Sequence, residues 1–264
     1  MILQRGIIRK PEDISGYKEY FNNDRLPIWN VESPGNGYNL YFSPSIVREG
    51  THSQQFQLRR DDALVNGSKR CELSRIKPSH ENRLESHVYK FSTYLPSGGA
   101  EDWGNGVNDD EIIAQWHATP DEGETYELSP PLSLHLGYGN NYYLVLYSDP
   151  NQITTPEMLT ANGYPHSFDL FDWLATKGYW VDWEFRIKWG WTAQHNPKIE
   201  VYKQVIGVDI EKTLVITITE PNYYNDIYGA QFSFGIYKPQ WALENYGGSE
   251  FISRIIYFDS VLLD

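Results

Sequence analysis

The chain is short of cysteine, long apolar runs and positive charge, and each shortage argues against a class of protein. Among 264 residues Cys71 is the single cysteine, so no intrachain disulfide forms, and its alternating neighbours predict a small core residue. No segment approaches the roughly 18 apolar residues of a membrane-spanning helix. The start of the chain has no apolar stretch long enough for a signal peptide. We therefore expect either an intracellular protein or one whose signal has been removed.

Positive charge is sparse but locally concentrated. The formal net charge is −13 and no run of Lys and Arg stands out, so we expect neither a nucleic-acid nor a membrane partner. A protein of this charge that binds an acidic polymer needs its cations gathered in one place. Residues 59–83 provide such a cluster, which a solvated charged face would explain equally well. Its cations are Arg59, Arg60, Lys69, Arg70, Arg75, Lys77 and Arg83.

Aromatic residues are abundant, with 20 Tyr and 9 Trp, and they favour strands and surfaces that stack on sugars. Period-2 segments recur between clusters of Gly, Pro, Asn and Asp, which predicts one all-β sandwich domain over residues 1–264. Residues 1–35 read as a short leading strand and irregular wrapping. Helix is predicted only at residues 155–161 and 167–176. The predicted strands are residues 38–42, 53–59, 69–75, 87–95, 111–118, 132–136, 142–147, 180–189, 199–202, 214–219, 231–237 and 251–262.

Three of these segments carry polar residues in the same alternation phase. Successive side chains of a strand point to opposite faces, so residues two apart lie together. The residues between the polar ones are apolar and face a core. The pairs that share a face are Arg70 with Glu72, Gln115 with His117, and Ser233 with Tyr237.

These side chains suit removal of a proton next to a carboxylate. Arg70 offers a bidentate donor to the carboxylate and Gln115 adds an amide donor. His117 is a base that works near neutral pH, and Tyr237 can protonate a departing oxygen or accept the proton. We expect Lys238 or Arg75 to lie near Tyr237. Each residue also has an ordinary explanation: an Arg70–Glu72 ion pair, a strand histidine, and one tyrosine among 20.

The motifs Arg-x-Glu-Leu at 70–73, Gln-x-His at 115–117 and Phe-x-Phe-Gly-Ile-Tyr-Lys at 232–238 resemble those of alginate-lyase-type polysaccharide lyases. Those enzymes have a concanavalin A-like β-jelly-roll. The chain is more similar still to the group that contains glucuronan lyases (family 20) and heparin lyase I-type enzymes (family 13). Residues 130–134, 183–189 and 224–226 also resemble that group, and the resemblance spans about residues 35–264.

The resemblance implies a β-jelly-roll sandwich of two antiparallel sheets, with a substrate cleft on the concave sheet. It places the catalytic residues Arg70, Gln115, His117 and Tyr237 at the centre of that cleft. Around them we expect six substrate-binding residues. These are Glu72, Arg75, Lys238, His135, Ser233 and Trp241.

The resemblance also implies the activity and its setting. We expect β-elimination of a uronic-acid-containing polysaccharide, glucuronan-like being favoured, by a monomer that is secreted or periplasmic. The alginate-lyase motif has Lys where this chain has Ser233, so Lys238 or a cation of residues 59–83 would supply that charge. The chemistry requires no cofactor. A structural Ca²⁺ stays open because some relatives bind one, although residues 109–111 and the pair Asp121 and Glu124 read as acidic surface.

Stereochemistry and two rival functions stay open at this point. In D-glucuronate and D-mannuronate, H5 and O4 lie on the same ring face, so Tyr237 alone can act as base and then acid. In their C5 epimers His117 would be the base and Tyr237 the acid. A non-catalytic carbohydrate-binding module would keep the aromatic face without these residues. A jelly-roll glycoside hydrolase needs two carboxylates flanking the bond, for which residues 208–211 are the nearest candidate.

Overall fold

A computed structural model describes residues 17–19, 21, 28–75, 84–98, 110–124, 128–137, 139–243 and 252–264. In these residues the chain forms fifteen strands and one short α-helix, α1 (Pro156–Ala161). The strands are β1 (Tyr17–Glu19), β2 (Trp29–Glu32), β3 (Leu40–Ser43), β4 (Ser53–Arg59), β5 (Arg70–Arg75), β6 (Ser86–Tyr94), β7 (Glu111–His117), β8 (Leu132–Leu136), β9 (Asn141–Leu146), β10 (His166–Asp172), β11 (Trp180–Lys188), β12 (Lys198–Val205), β13 (Thr213–Ile218), β14 (Gln231–Tyr237) and β15 (Ser253–Leu263).

The strands pair into two antiparallel sheets that share one core. The eight-stranded sheet has the order β13-β12-β11-β6-β15-β4-β3, with β1 paired to β15. The seven-stranded sheet has the order β10-β9-β8-β7-β14-β5-β2. Neighbours in these sheets are mostly far apart in sequence, so the chain crosses repeatedly between the layers. The result is a β-jelly-roll sandwich, and the predicted fold class is confirmed.

Aromatic side chains fill the space between the sheets. Phe232 and Phe234 of β14 contact rings from the opposite sheet, with Phe91 and Phe258 at centroid distances of 5.7 and 4.9 Å. Edge and offset ring contacts of this kind add to the burial of large apolar surfaces. Cys71 faces the same core, fully buried, as its neighbours predicted.

Strand β11 alternates as predicted between core and outer face. Phe185 and Ile187 are buried while Arg186 is exposed. Glu184 also points outward, but a side-chain cage covers it. Burial raises its pKa, whereas hydrogen bonds from Lys212 and Arg186 lower it more strongly and hold it at about 2.

Two segments differ from the sequence expectation. Residues 167–176 are not a helix: β10 covers most of them, and only residues 174–176 form a 3₁₀ turn. A bulge between Asp169 and Phe171 interrupts the alternation of β10. Strand β2 lies where irregular wrapping was expected, and it pairs with β5. Among the described residues no helix is long and apolar enough to cross a membrane.

Strand register brings the three predicted segments together in the seven-stranded sheet. Strand β14 lies between β5 and β7, so Tyr237 is opposite Arg70, and Ser233 is opposite Gln115. Gly235 makes this close pairing possible. Its φ is +143°, and a Cβ there would lie 2.3 Å from the carbonyl oxygen of Cys71.

Candidate active site

A cleft of about 410 Å³ lies over the seven-stranded sheet. Strand residues with polar side chains form part of its floor, and loop residues form its rims. The lining residues are Arg70, Ile112, His117 and Tyr237 from strands, and Asn66, Gly67, Ser68, Leu128, Ser129, Pro130 and Pro239 from loops. The predicted segments therefore reach one surface, from three adjacent strands.

Arg70 is the cation of this cleft, and two glutamates hold it. Its Nη1 donates to Glu32 Oε2 at 3.1 Å and lies 3.8 Å from Glu72 Oε2. The guanidinium also lies 4.3 Å from the ring centroid of Tyr237. The ion pair considered for Arg70 and Glu72 thus forms, and Arg70 is positioned next to the phenol as well. Strand β2, which supplies Glu32, was not foreseen as part of the site.

Gln115 and Glu72 lie behind Arg70, and both are fully buried. Gln115 Nε2 donates to Glu72 Oε1 at 2.8 Å. Burial raises the pKa of Glu72 to about 7, although Arg70 acts in the opposite direction. Three buried atoms here, Arg70 Nε, Glu72 Oε2 and Gln115 Oε1, have no hydrogen-bond partner among the described residues. Buried polar groups of this kind need a partner, and a polar ligand in the cleft could provide one.

His117 ends strand β7 and is half-buried at the cleft. Its Nδ1 lies 3.1 Å from the carbonyl oxygen of Ala118. A carbonyl only accepts, so this contact assigns the proton to Nδ1. Nε2 then carries the lone pair, which is what a general base needs.

Tyr237 and His117 lie at different positions across the cleft. Tyr237 is opposite Ile112 on β7, while His117 is opposite Gln231. Five residue steps along β7 lead from Ile112 to His117, which corresponds to roughly 16 Å of backbone. The two residues therefore line different parts of the same cleft.

Two further predicted residues lie on the same sheet face. Ser233 is buried and donates to Ser74 Oγ at 2.8 Å. His135 is buried one strand beyond β7, with Nε2 2.7 Å from Ser133 Oγ and Nδ1 2.9 Å from Asp110 Oδ1. Tyr143 donates to the same Asp110 oxygen. His135 thus sits in a polar network beside the described lining of the cleft, and the network was not foreseen.

Three predicted substrate-binding residues face the core instead, and those predictions are corrected. Lys238 is fully buried, its Nζ 2.6 Å from Glu111 Oε1, and Arg254 Nε contacts the same oxygen at 2.6 Å. Trp241 packs on that pair, 4.9 Å from Lys238 Nζ. The reason is strand parity: Lys238 follows Tyr237 directly and so points to the opposite face.

Arg75 also faces the core, because it is five positions from Arg70 and an odd spacing along a strand reverses the face. Its guanidinium lies between the sheets, where burial lowers its pKa and Tyr89 of the opposite sheet acts against that shift. Neither Lys238 nor Arg75 provides the positive charge expected near Tyr237. Arg70 provides it instead.

The remaining cations of the 59–83 cluster do not converge on the cleft floor. Arg59 lies over the ring of Tyr38 at 3.8 Å, and Lys69 donates to the backbone oxygen of Asp62. Arg60 lies at the end of β4, and Lys77 and Arg83 fall outside the described residues. Of the cluster's described cations, Arg70 is the one that lines the cleft.

Carboxylates suitable for a metal are not gathered in the described part of the chain. No group of three or more His, Cys, Asp or Glu side chains there is arranged to hold an ion. Asp121 accepts from the backbone of Ile227, and Glu124 accepts from Asp121 and Thr154. Asp109 lies outside the described residues. In the described part of the chain Asp121 and Glu124 are thus engaged in hydrogen bonds to the backbone, and a structural Ca²⁺ stays a prediction.

Solved structures with the same architecture include polysaccharide lyases. The endo-β-1,4-glucuronan lyase of the fungus Trichoderma reesei has a TM-score of 0.66 and 17% identity, over 92% of this chain and 93% of that one. The PL-14 alginate lyase of Aplysia kurodai has a TM-score of 0.54 and 11% identity, over 86% and 87%. The alginate lyase vAL-1 of a Chlorella virus has a TM-score of 0.50 and 14% identity, over 89% and 92%. At these identities the likeness confirms the fold.

Sequence comparison gives the family. No curated protein sequence matches the chain. A family model described as "Polysaccharide lyase" matches residues 12–262, which is nearly the whole sequence. The chain therefore belongs to the polysaccharide lyase family.

Proposed function

We propose that this polysaccharide lyase cleaves a polymer of uronic acids by β-elimination, with D-glucuronate linkages favoured. The observation that carries the proposal is the single cleft lined by Arg70, His117 and Tyr237, with unsatisfied polar atoms of Glu72 and Gln115 behind it. Binding of a neutral sugar would not need a guanidinium at the floor. A uronate carboxylate pairs with one.

The elimination removes the proton from C5, forms the C4–C5 double bond, and breaks the bond between C4 and O4, which takes up a proton. Negative charge develops on the carboxylate as C5 loses its proton. Arg70 and the amide of Gln115 stabilise this charge, and a donor in such a role contributes about 3 kcal/mol to the transition state. Arg70 and Gln115 are held by Glu32 and Glu72, so little reorganisation is needed.

Tyr237 and His117 divide the proton transfers according to the sugar. In a D-glucuronate unit H5 and O4 are on the same face, so Tyr237 as the tyrosinate takes the C5 proton and, then a neutral phenol, gives a proton to O4 and is a tyrosinate again. Arg70, 4.3 Å from its ring, stabilises the negative charge of the tyrosinate. In a C5 epimer the two groups are on opposite faces, and His117 Nε2 becomes the base. The likeness to the Trichoderma reesei glucuronan lyase supports D-glucuronate.

A panel of polymers tests reaction class and substrate together. Incubation with glucuronan, alginate and heparin should give the ultraviolet absorbance of a 4,5-unsaturated uronate, strongest with glucuronan. Tyr237→Phe should lower the rate by about 10²- to 10⁴-fold with an unchanged circular dichroism spectrum. Binding without any product would instead indicate a carbohydrate-binding module. A role on such polymers also supports secretion, and action as a monomer stays a prediction.

A further inference from the structure

The floor of the cleft carries one cation between two carboxyl groups. Glu32 and Glu72 are opposite each other on β2 and β5, and Arg70 Nη1 lies 3.1 Å from one and 3.8 Å from the other. If both glutamates are ionised, the trio has a net charge of −1 before any substrate arrives. A uronate would bring a second uncompensated negative charge to a single guanidinium.

The two glutamates differ in how well their charge is stabilised. Glu32 accepts hydrogen bonds from Arg70, Ser74 and Asn66, and its side chain is partly exposed. Glu72 accepts one, from Gln115, and is completely buried. Its Oε2 has no hydrogen-bond partner among the described residues, and Arg70 lies 3.8 Å from it. A proton that enters the trio therefore goes to Glu72.

The neighbours of Glu72 on each strand offer no other compensation. Strand β2 contributes Glu32, β7 contributes the neutral Gln115, and β14 places Gly235 opposite it, with Tyr237 next along. Among the described residues Arg70 is the one cation that acts on the Glu72 carboxyl. Burial raises the pKa of that carboxyl to about 7, so it changes charge near neutral pH.

We propose that a uronate carboxylate binds at Arg70 together with one proton, which Glu72 takes up. Ionised Glu72 repels the substrate, and protonated Glu72 leaves Arg70 and Glu32 as a neutral pair able to accept the uronate. Glu72 acts through Arg70 and Gln115 and is a positioning residue. This inference rests on the proposed function, because it requires a uronate in the cleft.

Because uronate binding and protonation of Glu72 favour each other, the direction in which pH changes the affinity is fixed. Uronate raises the pKa of Glu72 further, so affinity is highest below about pH 7 and falls as the pH rises. With a free-state pKa of about 7, binding takes up about 0.9 proton at pH 8 and about 0.1 at pH 6. Above pH 7 the dissociation constant rises about tenfold per pH unit.

Calorimetry measures this proton directly. The Tyr237→Phe protein, which is expected to bind substrate but to cleave it about 10²- to 10⁴-fold more slowly, is titrated with a β-1,4-linked D-glucuronic acid tetramer in Tris and in phosphate. The difference in heat between the two buffers gives the protons taken up. The same titration is made with Glu72→Gln added, and with Glu32→Gln added as the matched control, since it removes the other carboxyl beside Arg70.

The expected result is uptake of about 0.9 proton at pH 8 for the parent and none for Glu72→Gln. Glu32→Gln should take up less than the parent, because Glu32 raises the pKa of Glu72 and its removal leaves Arg70 and ionised Glu72 as a neutral pair. The affinity of Glu72→Gln should not vary between pH 6 and 8. Binding without proton uptake in the parent, or uptake that persists in Glu72→Gln, overturns the inference while the lyase function stands. Absence of binding to the tetramer, alginate and heparin fragments, together with absence of product, overturns both.

Discussion

Replacing Glu72 by Gln should stabilise the protein at alkaline pH, although it removes a charged group from the site. Burial raises the pKa of Glu72 from 4.5 to about 7, and the attraction to Arg70 is already included in that balance. The folded protein thus binds this proton more tightly than the unfolded chain. Its favourable contribution is complete below about pH 4.5 and is lost as the pH rises through 7. The shift corresponds to roughly 3 kcal/mol at pH 8.

Glutamine has nearly the same shape and carries no charge, so the Glu72→Gln protein avoids that loss. We expect its urea midpoint to rise by about 1 M at pH 8 and to match the parent at pH 4. Glu32→Gln is the control, since Glu32 accepts three hydrogen bonds and should lose stability at pH 8. Equal stability of the Glu72→Gln and parent proteins at pH 8, or destabilisation at every pH, would refute a buried carboxyl of raised pKa.

The remaining predictions concern the outer sheet, the core thiol, metal ions and the second proton-transfer residue. The free energy of unfolding of Glu184→Gln should be about 1–2 kcal/mol lower than that of the parent at pH 7, because the pKa of Glu184 is lowered to about 2. Unfolding curves should show this difference vanishing near pH 2. A difference that stays constant with pH would contradict the charged cage. Cys71 should resist thiol reagents in the folded protein, because burial raises its pKa to about 12, and rapid labelling without denaturant would show that the core is open. Treatment with EDTA should leave turnover unchanged, because Arg70 and Gln115 stabilise the negative charge of the substrate carboxylate without a metal ion. Loss of activity that only Ca²⁺ restores would contradict this. On D-glucuronate linkages His117→Ala should retain far more activity than Tyr237→Phe, and equal losses would mean that His117 is the base there.

Alternation in the sequence was sufficient to predict the face on which Arg70, Gln115 and Tyr237 lie, because parity along a strand is local information, whereas the pairing of β14 with β5 and β7 is not. The same parity argument also predicts that Lys238 and Arg75 lie on the opposite face of the sheet. Their charge suggested a role in the cleft, yet Lys238 neutralises the buried Glu111. Charge type was therefore a poorer guide than strand parity at these two positions.

The elements that the sequence did not reveal are short or irregular. Strand β2 has four residues and lies just before Pro34, so it gives almost no period-2 signal. The pairing with β5 identifies β2 as a strand, and only this pairing shows that Glu32 reaches Arg70. In β10 the bulge after Asp169 leaves Phe168, Phe171 and Leu174 at helix-like spacing, which explains the incorrect helix.

The cleft is a place where this fold gives up stability. Two other buried carboxylates are matched by cations, Glu111 by Lys238 and Arg254, and Glu184 by its three cations. At the cleft floor a buried carboxyl keeps a raised pKa and three polar atoms have no partner among the described residues. A sequence selected only for folding would replace Glu72 with an uncharged residue. The unfavourable arrangement is explained if a uronate carboxylate and a proton complete it, since the same groups then become a matched set.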